Sequence, residues 1–123
     1  MIIVDTDVLI EIFDRKSEKG RDALNQLEKS GDDISITSLC LHEVLYGHYK
    51  RKKKIKEIEE IHTLEFNSED AKLSAKLEIE AEKKGVIIPQ TDAMIAAITI
   101  NRKAKLFTYN KKHFQEIKQL QLF

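Results

Sequence analysis

Three acidic residues stand in stretches of sequence where apolar side chains are expected. Asp5 ends the apolar opening of the chain, Glu43 interrupts an apolar run, and Asp92 directly precedes another. A carboxylate is rarely placed inside a protein unless it is paired or holds a metal, because burying its charge is costly. Three such acids, far apart in sequence, predict one shared site in which a cation offsets their mutual repulsion.

The polar residues near these acids carry hard oxygen atoms. Thr6 follows the first acid directly, and Thr108 lies two residues before Asn110. The four histidines and the single cysteine show no metal-ligand spacing, so the pattern favours Mg²⁺ or Mn²⁺ over zinc. Such a metal typically engages substrate phosphate and lowers the pKa of a bound water, whose proton a carboxylate can take. The expected chemistry is metal-dependent phosphodiester hydrolysis.

The alternation of strand and helix patterns predicts how the acids are positioned. Strands separated by helices indicate an α/β fold with a central, mostly parallel sheet of four or five strands, covered on both faces. The predicted strands are 2–4, 34–37, 62–66, 105–109 and 120–123. In open parallel sheets the functional crevice lies beyond the carboxyl ends of the strands. Asp5 and Asn110 each follow a predicted strand, and Asp92 begins a buried helix, so we expect these three to meet there.

The expected positions of the Glu43 and Asp7 side chains depend on where the neighbouring helices begin and end. Ser38 is expected to cap a helix over 39–47, on which the neighbours of Glu43 at three and four residues include no cation, so Glu43 is expected to face inward. Asp7 is interpreted as the N-cap of a helix that begins at Val8.

Further helices are predicted near 23–30, over 49–61 with an isoleucine stripe, from Ser68 with an apolar face, and over 91–102. The expected members of that apolar face are Ala71, Leu73, Ala75, Leu77 and Ile79.

Charge and composition restrict the class of protein. In 123 residues, Lys+Arg and Asp+Glu balance at 21 each, so a nucleic acid would have to be held by a local basic patch. The basic run 50–54 is such a candidate, with Arg51, Lys52 and Lys53 as possible RNA contacts or simply as a solvated helix face. Tyr46 and Tyr49 are expected to belong to a partner surface or to the core.

Length and apolar content indicate where the protein acts. We expect one domain over 1–123, with no signal peptide and no membrane-spanning run. A single cysteine, Cys40, excludes an internal disulfide and is expected to be a small core residue, whereas His113 is expected at the surface. These features fit a cytoplasmic protein.

Four segments together resemble one protein family, the PIN domains, and in order, spacing and length the VapC-type toxins of toxin–antitoxin pairs. The first segment is Ile3-Val4-Asp5-Thr6-Asp7-Val8-Leu9-Ile10, and the second is Ser38-Leu39-Cys40-Leu41-His42-Glu43-Val44-Leu45-Tyr46-Gly47. The third is Thr91-Asp92-Ala93-Met94-Ile95-Ala96-Ala97, and the last is Leu106-Phe107-Thr108-Tyr109-Asn110-Lys111-Lys112-His113-Phe114. The resemblance covers essentially the whole chain.

The resemblance implies a three-layer α/β/α fold and Mg²⁺- or Mn²⁺-dependent cleavage of RNA. It also implies a homodimer and a cognate antitoxin that masks the site. Carried over by position, Asp5, Glu43 and Asp92 are the metal-binding acids, with Thr6 and Thr108 as supporting hydroxyls. The fourth family position, often Asp, is Asn110 here, and it brings no negative charge to a second metal.

Two other functions remain open at this point. A related nuclease could act on DNA or on flapped structures, because the acids do not specify the polymer. A PIN-like domain could instead bind only RNA or a protein partner, and the neutral Asn110 is the feature that leaves this open. Asp7 is counted as a supporting residue that could compensate for the missing fourth acid.

Overall fold

The computed structural model describes residues 1–53 and 56–123, and its central element is a parallel sheet. Within these residues, five strands follow the order β3–β2–β1–β4–β5. Their bounds are β1 Ile2–Val4, β2 Ile34–Thr37, β3 His62–Leu64, β4 Lys105–Phe107 and β5 Gln121–Leu122. All the pairings are parallel, which confirms the predicted α/β fold with a mostly parallel sheet of four or five strands.

Helices lie on both faces of this sheet. Their bounds are α1 Thr6–Leu9, which continues into a π-helical segment Ile10–Arg15, then α2 Glu18–Ser30, α3 Ser38–Lys50, α4 Lys56–Glu60, α5 Ser68–Lys83, α6 Gln90–Asn101 and α7 Lys111–Phe114. All three residues of β1 are 0% exposed, as expected for a strand that is covered on both sides. The arrangement is the three-layer α/β/α fold. In the described part of the chain, no helix has the length and apolar character needed to span a membrane.

The central position of β1 determines where its carboxyl end leads. β1 pairs with β2 on one side and with β4 on the other, and Val4 lies opposite Phe107. The backbone N–H of Asp5 donates to the carbonyl of Phe107 at 2.9 Å, so the pairing continues one residue beyond the strand. As a result, Asp5 and Thr108 leave the sheet side by side.

The helix predicted over 49–61 is wrong. α3 continues to Lys50, the chain turns at Arg51 and Lys52, and a separate helix α4 begins at Lys56. Lys52 adopts a left-handed backbone conformation with φ 56°, which a continuous right-handed helix cannot contain. Of the expected isoleucine stripe, Ile58 is fully buried and Ile61 is partly buried after the end of α4, and the remaining position, 55, lies outside the described residues.

Two smaller helix predictions are also corrected. Thr37, not Ser38, caps α3, because its Oγ1 accepts the backbone N–H of Cys40 at 3.1 Å. The expected apolar face of α5 is largely exposed at Ala71, Ala75 and Ile79. The face that α5 buries instead consists of Asp70, Ser74, Leu77 and Ala81, at intervals of three and four residues.

A buried ion pair joins the start of α5 to the end of α6. Asp70 is 0% exposed, and its Oδ1 accepts from Arg102 Nη1 and from Asn101 Nδ2, each at 2.8 Å. Its Oδ2 accepts the backbone N–H of Asn67 at 2.9 Å, which completes a capping box. Burial alone would raise the pKa of Asp70, but these hydrogen bonds and the Arg102 charge hold it below its ordinary value.

Candidate metal and phosphodiester site

Asp5 is held at the carboxyl end of β1 by three donors. It is 6% exposed and caps the N-terminus of α1. Its Oδ1 accepts the backbone N–H of Thr6 at 2.8 Å and lies 3.7 Å from the Cys40 Sγ, and its Oδ2 accepts the Thr108 hydroxyl at 2.8 Å. Burial raises the pKa of Asp5 above its ordinary value, and the negative charge of Asp92 raises it further, although these hydrogen bonds oppose the rise.

Asp7 does not cap a helix, so that prediction is wrong. α1 begins at Thr6, two residues earlier in the chain than expected, and the capping position therefore falls on Asp5. Asp7 instead accepts the backbone N–H of Tyr109 through Oδ2 at 3.0 Å, which ties α1 to the chain after β4. Its Oδ1 is buried and has no hydrogen-bond partner among the described residues. Burial and the charge of Asp5 raise the pKa of Asp7.

Glu43 lies at the open side of the site, not on the inward side as predicted. α3 buries Cys40, Val44 and His48, which share one stripe of the helix, and Glu43 lies beside that stripe and is exposed. The surrounding protein nevertheless desolvates its carboxylate, and together with the charges of Asp5 and Asp92 this raises its pKa. Glu43 is therefore electrostatically part of the same site.

Asp92 occupies the first turn of α6, as predicted, and contacts a residue that the sequence did not assign to the site. His113, in α7, has its Nδ1 at 2.8 Å from Asp92 Oδ2. Burial raises the pKa of Asp92, and the contact with His113 opposes that rise. His113 was expected at the surface and is exposed, with a side-chain exposure of 48%, but it also orients an acid of the site. The two residues are 21 positions apart, and no spacing pattern connects them.

The two threonines and Asn110 lie at the same edge of the sheet. The Thr108 hydroxyl donates to Asp5 and accepts the backbone N–H of Asn110 at 3.1 Å, so it links the first and last motifs. The Thr6 Oγ1 is buried and has no partner among the described residues. Asn110 is exposed and precedes α7, where its carbonyl accepts the backbone N–H of His113 at 3.0 Å.

The basic residues of the turn after α3 are partly engaged within the chain. Arg51 Nη2 lies 2.9 Å from Asp14 Oδ2, and Lys53 Nζ lies 3.2 Å from Asp14 Oδ1. The Asp14 side chain is only 6% exposed, so these two cations neutralise a nearly buried acid. An RNA contact by Arg51, Lys52 and Lys53 stays a prediction.

Asp5, Asp7, Glu43 and Asp92 form what we call the acidic cluster. The pKa of each of these acids is raised, mainly because burial penalises the charged form. The negative charge of another member of the cluster raises each pKa further. Within residues 1–53 and 56–123, no three Asp, Glu, His or Cys side chains are grouped so that they could hold a metal ion. Mg²⁺ is commonly bound through only one or two carboxylates and keeps several waters, and the oxygen donors here, including the buried unpaired Asp7 Oδ1, fit a hydrated hard cation of that type.

Comparison with known proteins identifies a family and several relatives. The PIN domain family model matches residues 2–120. The chain is 29% identical over 125 residues to Ribonuclease VapC2 of Rickettsia felis, covering 96% of this chain and 92% of that protein. It is 27% identical to Ribonuclease VapC1 of Methanocaldococcus jannaschii, covering 98% of this chain and 84% of the relative.

Solved structures show the same fold. The crystal structure of VapBC2 from Rickettsia felis, bound to a DNA fragment from their promoter, matches 100% of this chain and 98% of its own with a TM-score of 0.82 and 29% identity. VapBC-1 from nontypeable Haemophilus influenzae matches 100% of this chain and 97% of its own with a TM-score of 0.83 at 22% identity.

Proposed function

Since the chain belongs to the PIN-domain family, we propose that it is a Mg²⁺- or Mn²⁺-dependent endoribonuclease and the toxin of a toxin–antitoxin pair. The observation that carries the proposal is the acidic cluster at the carboxyl end of β1, where a cation would offset the repulsion between the carboxylates. The relatives named Ribonuclease VapC support RNA as the substrate. The proposal treats 1–123 as a single nuclease domain that acts in the cytoplasm.

Asp5, Glu43 and Asp92 are the proposed ligands of the cation. When bound, Mg²⁺ or Mn²⁺ activates a water and neutralises charge on the phosphoryl oxygens. Thr108 and the Thr6 backbone hold the Asp5 carboxylate in one orientation through their 2.8 Å hydrogen bonds, so little reorganisation is needed when substrate arrives.

Residues of the site also have proposed roles in proton transfer and positioning. Glu43, besides being a proposed ligand, is exposed and has a raised pKa, so it is suited to accept a proton from the water that attacks phosphorus. Asn110 orients a water or binds weakly through its amide oxygen, and Asp7 supports the strand ends through Tyr109. Attack in line breaks the bond from phosphorus to the 3′ oxygen and leaves a 5′-phosphate and a 3′-hydroxyl.

Cleavage with and without metal tests this function. We expect the protein to cleave structured RNA in Mg²⁺ or Mn²⁺ and to be inactive in excess chelator, with the products resolved on a denaturing gel. Equal cleavage in both conditions would show that the mechanism is wrong. A DNA oligonucleotide of the same sequence, assayed beside the RNA, decides between ribonuclease and the alternative of a nuclease for DNA or flap structures.

A domain that only binds RNA or a protein is the second candidate, and Asn110 is the observation that favours it. An amide at the fourth position adds no charge to the cluster, which weakens the attraction for metal. Calorimetric titration with Mn²⁺ discriminates the two, because a binding-only domain is expected to show no specific Mn²⁺ uptake.

The proposed protein partners are a cognate antitoxin and a second copy of the chain. Solved relatives named VapBC support an antitoxin, and a groove of about 420 Å³ beside α2 offers it an apolar surface. That groove is lined mainly by Leu9, Ile12, Phe13, Leu24, Leu27 and Ile34. The exposed Ile79 on α5 and Ile87 after it support a homodimer, which light scattering of the isolated protein tests.

A further inference from the structure

One face of α3 carries exposed aromatic side chains beside the acidic cluster. Tyr46 is 61% exposed and Tyr49 is 67% exposed, so neither belongs to the core. His42 and Lys50 are exposed on the same side of the helix, at intervals of four residues from Tyr46. We call His42, Tyr46, Tyr49 and Lys50 the aromatic face.

Two rings of the aromatic face are stacked on each other, and a lysine lies over one of them. The His42 and Tyr46 rings have centroids 6.4 Å apart and planes 19° apart, an offset-parallel arrangement. The Lys50 Nζ lies 5.8 Å from the centroid of the Tyr46 ring. His42, Tyr46 and Lys50 therefore form a continuous row of side chains along two turns of α3.

This row begins at the acidic cluster. Glu43 directly follows His42 and precedes Tyr46 by three residues, so it shares this side of α3. The same helix is anchored at the site by Cys40, whose Sγ lies 3.7 Å from Asp5 Oδ1. From Glu43 to Lys50 the helix rises by about 10 Å, which is the length of one or two nucleotides.

We propose that the aromatic face stacks the bases of unpaired nucleotides next to the scissile phosphate. The inference rests on the proposed function and specifies its substrate as a single-stranded or looped segment of RNA. Exposed aromatic rings bind bases of any sequence through their π faces, whereas a duplex hides those faces in its own stack. Lys50 supplies a cation for the phosphate backbone.

The position of the row beside the acidic cluster, with a cation at its far end, favours RNA as the partner. Lys50 offers a cation to a phosphate backbone at one end of the row, and Glu43 lies at the other end, at the proposed reaction site. A phosphate reaching Glu43 also brings the RNA to the acidic cluster, where the proposed reaction takes place. Binding of a second copy of the chain to this face would contradict the proposal.

RNA binding by matched variants tests the proposal. Tyr46→Ala, Tyr46→Phe and the control Gln26→Ala, which truncates an exposed, uncharged residue on α2, are compared in an inactive Asp5→Asn background. Their affinities for a fluorescein-labelled single-stranded RNA and for its duplex are measured in Mg²⁺ by fluorescence anisotropy. We expect Tyr46→Ala to weaken single-strand binding about tenfold and duplex binding by less than about twofold, with Tyr46→Phe and Gln26→Ala unchanged.

Kinetics with the intact site separate this proposal from the proposed function. In the otherwise natural chain, Tyr46→Ala is expected to raise KM for a looped RNA about tenfold while kcat changes little. If the unaltered protein cleaves RNA and Tyr46→Ala binds and cleaves equally well, the aromatic face is not the substrate platform, although the nuclease function stands. A Tyr46→Ala change that alters the oligomeric state instead of RNA affinity would also overturn the proposal. If the unaltered protein neither binds nor cleaves RNA, both proposals fail.

Discussion

The surroundings of two buried aspartates shift their pKa values in opposite directions. One is Asp5 at the end of β1, and the other is Asp70 at the start of α5. Asp70 is compensated inside the chain by Arg102, Asn101 and the Asn67 backbone, and its pKa is lowered. Asp5 receives hydrogen bonds from uncharged donors and lies near other acids, and its pKa is raised. The first arrangement stabilises the fold, whereas the second leaves a charge for a ligand to satisfy.

The largest expected effect comes from neutralising Asp5. We expect Asp5→Asn to lower the rate of RNA cleavage by about 100- to 1,000-fold, the loss typical of removing one preorganised electrostatic group. Its melting temperature without metal should be equal to or above that of the natural chain, because repulsion within the acidic cluster decreases. Gel assays and thermal melting measure the two effects. Asp70→Asn is the matched control, expected to lose stability but to cleave normally while folded, and the reverse result would contradict the comparison.

The second largest effect is expected when Arg102, the cation that compensates the charge of Asp70, is removed. Arg102→Met leaves a fully buried carboxylate without its guanidinium, and we expect the free energy of unfolding to fall by about 2–4 kcal/mol. Urea denaturation measures this change. Arg15→Met is the control, since Arg15 has a 68% exposed side chain and solvent screens its pair with Glu11, so little loss of stability is expected. Similar losses in the two variants would mean that the Asp70 network is not specially stabilising.

A smaller effect is expected at His113. Its contact with Asp92 is the type of outer interaction that orients a metal ligand, so His113→Ala should weaken Mn²⁺ binding about tenfold in calorimetry. Lys112→Ala removes a neighbouring exposed side chain and should leave the affinity unchanged. If both variants bind Mn²⁺ like the natural chain, His113 has no positioning role.

The smallest expected effect is a difference between Asp5→Asn and Asp70→Asn in how their stability depends on pH in the absence of metal. The folded pKa of Asp5 is raised above 3.8, so its stability contribution is present at low pH and is lost as the pH rises from 3.8 through the raised value. The folded pKa of Asp70 is lowered below 3.8, so its contribution is present above 3.8 and is lost as the pH falls through the lowered value. Urea denaturation in chelator should therefore show the stability of Asp5→Asn relative to the natural chain increasing as the pH rises through this range. For Asp70→Asn, the relative stability should decrease as the pH rises toward 3.8. Equal slopes would contradict the assignment of opposite shifts.

Much of the fold was predictable because its signals are local. The short β-branched strand before Asp5 and the nearly uniform apolar pattern after Asp92 correctly indicated β1 and α6. Predictions failed where a tertiary contact competed with periodicity. The helix expected over 49–61 is interrupted where Arg51 and Lys53 turn toward Asp14. The buried face of α5 includes Asp70 because Arg102, 32 residues away, compensates its charge.

The sequence by itself determined which acids end strands or begin helices, since those positions depend on neighbouring residues. It placed Asp5 and Asp92 at the carboxyl edge of a parallel sheet, and the raised pKa values of the acidic cluster agree with that location. Only the tertiary structure decided which charges are compensated, that Glu43 is exposed, and that His113 contacts Asp92. The reason is physical: the energy of a charge depends on its solvation and on partners that are distant in the chain.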